Sequence, residues 1–71
     1  MSYFGFSEDV ELEIETFLEE RALILSLKKG TPHRRDLEKH YKRWFQQFRW
    51  YCSYRNCDFK AVCNYYGLKG L

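Results

Sequence analysis

Between residues 32 and 54 the apolar positions recur at helical spacing. With Leu37 as origin and steps of about 100° per residue, Tyr41, Trp44, Phe45, Phe48, Tyr51 and Cys52 fall within about 80° of it, the width of a core-facing arc. The opposite side carries Arg35, Lys39, Lys42, Arg43, Gln46 and Arg49. The pattern predicts one long amphipathic helix over about 32–54. Trp50 lands among the cations, and Tyr54 lies near their edge.

The preceding stretch, about 7–29, also reads as helix. Val10, Ile14, Phe17, Leu18, Ile24 and Leu25 share one face, while Leu12, Leu23 and Leu27, with Thr16, form a second stripe. The run VELEIE at 10–15 alternates as a strand would. The FLEERAL that follows is rich in strong helix formers and carries the segment to helix. Ser7 is placed to cap it, and Glu8 and Asp9 suit a positive helix N-terminus.

Between these two elements lies KKGTPH, residues 28–33. Lys28 and Lys29 suit a last helical turn and Gly30 the position just past it. Thr31 reads as an N-cap and Pro32 as a first helical residue, where its missing N–H costs nothing. So short a connection favours antiparallel neighbours.

A third, shorter helix is expected over about 57–66, with Asn56 as cap and Asp58 in its first turn. Phe59, Val62, Cys63 and Tyr66 line one side, and Gly67 followed by Leu68 matches a Schellman stop. Residues 58–71 resemble the first helix and turn of a helix-turn-helix unit, in which the following helix would read the major groove. A short helix closing a bundle is the expected reading instead. Phe4 and Phe6 are expected to fold back onto the core. The fold class is therefore all-α: a single domain over residues 1–71, made of an antiparallel helical hairpin plus a short C-terminal helix.

Composition bears on how such a chain holds together. A domain of 71 residues is marginal without disulfides, metal, oligomerisation or bulky core residues. Aromatic residues make up 20% of the chain and supply the last of these. Three cysteines, an odd number, fit poorly with a closed disulfide framework. With no leader pattern and no membrane-length apolar run, the expectation is a thiol-reduced, cytoplasmic protein with no membrane association.

Charge sharpens the picture. The net charge is only +2, yet residues 1–27 hold seven acids against Arg21, and residues 28–71 hold eleven bases against three acids. Such asymmetry means that the halves face each other or seek outside partners. Cations release counterions on meeting phosphates, and an exposed ring can stack on a base. Arg35, Lys39, Lys42, Arg43, Arg49, Trp50 and Tyr54 are therefore the candidate binding residues.

The first expectation for function is a non-enzymatic regulatory protein associated with nucleic acid. The alternative is a small inhibitor or adaptor, such as a phage or mobile element encodes, that docks on a larger protein through the same face. There Trp50, Tyr54 and Arg43 would be anchors. The second stripe of the first helix, Leu12, Thr16, Leu23 and Leu27, suits a homodimer interface. Cys52, Cys57, Cys63, His33 and His40 lack the paired spacing of a zinc site, so no metal or other cofactor is expected. A Cys–His pair such as Cys57 with His40 could be drawn as nucleophile and base. Nothing in the sequence poises it, and no enzyme activity is expected.

Overall fold

The computed structural model describes residues 4–71, and Met1, Ser2 and Tyr3 lie outside the described residues. Three helices follow one another: α1 over Glu8–Ser26, α2 over Pro32–Tyr54 and α3 over Phe59–Tyr66. The VELEIE run is helical throughout. Its alternation is outweighed by the helix formers around it.

The start of α2 follows its residue types. Thr31 is the N-cap and its hydroxyl accepts from the Arg34 amide, with Pro32 in the first turn. Ser7 caps α1 by position alone, since its side chain takes no capping hydrogen bond. The end of α1 comes earlier than the expected Lys29. Leu27 is already extended, and its carbonyl accepts from Arg34 Nη1 at 2.7 Å. Lys28 and Lys29 thus belong to the loop, which Gly30 turns at φ +88°.

Helix α3 starts two residues later than its sequence pattern suggested. Asp58, not Asn56, is the cap, accepting from the Lys60 amide at 3.0 Å. Asn56 instead turns the chain at φ +59°, a conformation Asn tolerates better than most residues. The C-terminal stop forms as the sequence implied. Gly67 is left-handed, the Leu68 amide donates to the Cys63 carbonyl at 2.9 Å, and Leu68 is buried.

Among the described residues, nine are buried and form the core: Phe6, Ile14, Ile24, Tyr41, Trp44, Phe48, Cys52, Val62 and Leu68. The hairpin seam is aromatic. Phe17 stacks on Trp44 with ring centres 4.2 Å apart, and Trp44 stacks on Phe48 at 5.2 Å. Trp44 also donates its indole N–H to Glu13, so its one polar group is satisfied at the seam's edge. Phe6 and Phe4 do fold back, Phe6 against Phe48 and Tyr51 and Phe4 against Tyr66.

Two expectations fail here. Leu25 is 51% exposed rather than part of the core. Glu13, Phe17 and Glu20 of α1 all meet α2, and Ile24 continues that side. Leu25 lies on the side that meets the C-terminal segment. That segment's Gly70 carbonyl accepts from Arg21 Nε, one turn before Leu25, leaving Leu25 uncovered. The second failure is chemical. Cys52 and Cys57 are paired across Cα atoms 5.2 Å apart, a separation inside the usual disulfide range that the odd cysteine count did not suggest. Only Cys63 is free among the described cysteines.

Candidate binding face on the second helix

Helix α2 serves two purposes because its two sides are chemically distinct. Its inner side is buried under α1 and α3 through Tyr41, Trp44, Phe48 and Cys52. Its outer side presents Arg35, Lys39, Lys42, Arg43, Arg49, Trp50 and Tyr54, all of them exposed. Trp50 is 78% exposed and Tyr54 90%. Residues at these spacings form two parallel rows. Arg35, Lys39, Lys42 and Arg49 make one, rising about 21 Å along the axis. Arg43, Trp50 and Tyr54 make the other.

Other arginines are committed within the fold. Arg34 pairs with Glu38 at 2.7 Å and holds the Leu27 carbonyl. Arg55 donates to the Gly5 carbonyl at 3.1 Å and lies over the Phe6 and Tyr51 rings. Arg21 meets Gly70. The five cations of the outer face make no hydrogen bond or ion pair among the described residues. The acids of α1 do not cover them either: Glu13 is taken by Trp44, and Glu20 lies 2.7 Å from His40 Nδ1.

Between the two rows lies a shallow concavity of about 420 Å³, lined by Gln46, Arg49, Trp50 and Ser53. These positions are i, i+3, i+4 and i+7, the diamond around one hole in a helix surface. Arg49 and Trp50 flank it on the two rows, with Gln46 one turn before and Ser53 one turn after. A second concavity follows the turn past α2, lined by Arg49, Ser53, Asn56, Cys57, Asp58 and Phe59.

The outer side of α1 carries the other candidate surface. Leu12, Thr16 and Leu23 are exposed, and Leu27 is half-buried. The Thr16 hydroxyl donates to the Leu12 carbonyl at 2.8 Å. Exposed Glu8, Glu15 and Glu19 flank this stripe.

The sequence's metal and nucleophile candidates are not brought together. Cys52 and Cys57 are bonded to each other, so Cys57 does not pair with His40, which sits against Phe17 and Glu20. No group of three or more His, Cys, Asp or Glu among the described residues is placed to hold a metal ion. Burial pushes the Cys63 thiol above its ordinary value, which works against thiolate chemistry there. No helix among the described residues is long and apolar enough to cross a membrane.

Sequence reasoning found the outer face but missed the structural employment of Arg21, Arg34 and Arg55. Signals existed for Arg34, four residues before Glu38, and for Arg55, four residues after Tyr51, both helix-pair spacings. The concavity was also missed, although Gln46, Arg49, Trp50 and Ser53 already had the right spacing. Comparison with protein-family models, curated proteins and solved structures returns no match.

Proposed function

We propose that this is a small non-enzymatic regulatory protein that binds nucleic acid along the outer face of α2. The observation that carries the reading is the separation of cations into two groups. Arg21, Arg34 and Arg55 hold the fold, whereas Arg35, Lys39, Lys42, Arg43 and Arg49 stay unneutralised on one face beside an exposed indole. Unneutralised cations in a line exchange their counterions for phosphates. A large exposed aromatic among them is an unusual use of surface in a monomer.

The experiment is a binding titration of the Lys42→Glu, Arg49→Glu double variant against nucleic acid at low salt. Both residues are exposed, so the fold is retained and binding is lost. Unchanged affinity in a folded variant would overturn the assignment.

A second reading rests on Trp50 and Tyr54 being one helical turn apart. That is the anchor pattern of a helix that lies in a protein groove, and it fits an inhibitor or adaptor. Capture of one protein after nuclease treatment, lost in Trp50→Ala, would favour it over the first.

The outer stripe of α1 supports a homodimer through Leu12, Thr16 and Leu23, with Leu27 at its margin. The acids flanking it oppose that association at low salt, because two copies bring like charges together. A nucleic-acid role places the protein in the cytoplasm, where reducing conditions act on the Cys52–Cys57 bond. The Asp58 and Gly67 caps and buried Val62 and Leu68 hold α3 without it.

A further inference from the structure

The nucleic-acid reading leaves open whether α2 meets a duplex or a single strand. Resting on that reading, we infer that the face takes single-stranded nucleic acid, with one base stacked on the Trp50 indole in the concavity it shares with Arg49.

The concavity beside Trp50 sets the requirement. It is open and about 420 Å³, lined by Gln46, Arg49, Trp50 and Ser53. The exposed indole offers a planar face that stacks on a nucleobase, and the Arg49 guanidinium beside it is left for a phosphate. Gln46 and Ser53 add amide and hydroxyl groups, which donate to and accept from base edges. An intact duplex keeps its base faces stacked inside the helix and offers only edges in the grooves. It would have to extrude a base, at a cost of a few kcal/mol. A single strand supplies the same base with far less unstacking.

The rest of the face fits this pose. Phosphates follow the row Arg35, Lys39, Lys42 and Arg49, with Arg43 reaching the same backbone from the second row, and bases turn across the helix toward Trp50 and Tyr54. Tyr54 stands about 6 Å further along the axis than Trp50 and is the more exposed of the two. It is placed to meet the neighbouring base of an extended strand. A duplex phosphate backbone gives no reason for two exposed rings one turn apart.

The test measures affinity by fluorescence anisotropy at fixed low salt, using a labelled oligothymidylate of about 12 nucleotides and the same strand annealed to its complement. Wild type binds the single strand more tightly than the duplex. Trp50→Ala weakens single-strand binding by between about 5- and 150-fold, the worth of one stacked base. Trp50→Phe, which keeps a ring, retains most of the affinity. Trp50→Ala costs the duplex less affinity than it costs the single strand. Tyr54→Ala shows a smaller loss of the same kind. If the duplex binds as tightly as the single strand, or Trp50→Ala leaves single-strand affinity unchanged, the stacking inference fails while the phosphate-binding reading stands. If neither form binds, the nucleic-acid reading itself fails and takes the inference with it.

Discussion

Removing two phosphate contacts from α2 has a consequence that can be worked out in numbers. Five exposed cations line the outer face: Arg35, Lys39, Lys42, Arg43 and Arg49. For a single strand, the slope of log affinity against log salt is about −0.7 per neutralised phosphate. Five contacts give about −3.5, or a loss of about 130-fold between roughly 50 and 200 mM salt. Neutralising Lys42 and Arg49 together, as Lys42→Gln with Arg49→Gln, leaves three contacts. The slope becomes about −2.1, and the same rise in salt costs only about 18-fold. Glutamine keeps much of each side chain's apolar stem and adds no repulsion, so the change in slope counts contacts directly. The assay is the anisotropy titration repeated at four or more salt concentrations for both proteins. A wild-type slope of about −1 or shallower, or one the double variant leaves unchanged, would refute the idea that these cations meet phosphates.

Two further outcomes concern assembly and stability. Leu23→Asp gives a monomer by sedimentation with a melting temperature close to that of wild type, since Leu23 is exposed. Wild-type association strengthens as salt screens Glu8, Glu15 and Glu19, opposite to the trend for nucleic acid, and a stripe indifferent to both changes is no interface. Tyr41→Phe removes the hydrogen bond from the Tyr41 hydroxyl to the Lys69 carbonyl and costs about 0.5–1.5 kcal/mol in urea denaturation. Burial lifts the Tyr41 hydroxyl above its ordinary 10.0, so the folded chain favours its protonated form. That stabilisation is complete below the unfolded value, near pH 10, and is lost as pH rises through the folded one. Wild type therefore loses stability above about pH 10 more steeply than Tyr41→Phe, and parallel curves would exclude the linkage.

The hairpin was legible because its signals agree with one another. The arc around Leu37 and Trp44, the Thr31–Pro32 start and the Gly67–Leu68 stop are local features, and local chemistry decides them. What was illegible depended on tertiary partners. Leu25 shares the apolar face of α1, yet burial depends on what lies opposite: Ile24 in the same turn is buried, whereas the side carrying Leu25 is left open past the Arg21–Gly70 contact. The early end of α1 depends on Arg34 reaching back seven residues. The Cys52–Cys57 bond follows from the chain turning at Arg55 and Asn56, which brings the two Cα atoms together. The exposure of Trp50 could be read because its position opposes the aromatic arc. The slot beside it became visible only when four side chains were taken together.

The two tryptophans divide the molecule's optical signal between its two concerns. Trp44 lies in the aromatic seam, stacked on Phe17 and Phe48 and hydrogen-bonded to Glu13. Buried there, Trp44 is expected to emit toward the blue and to resist aqueous quenchers until the hairpin opens. Trp50, 78% exposed, is expected to emit toward the red and to be quenched readily. With no label added, one spectrum would then separate the state of the fold from the occupancy of the outer face.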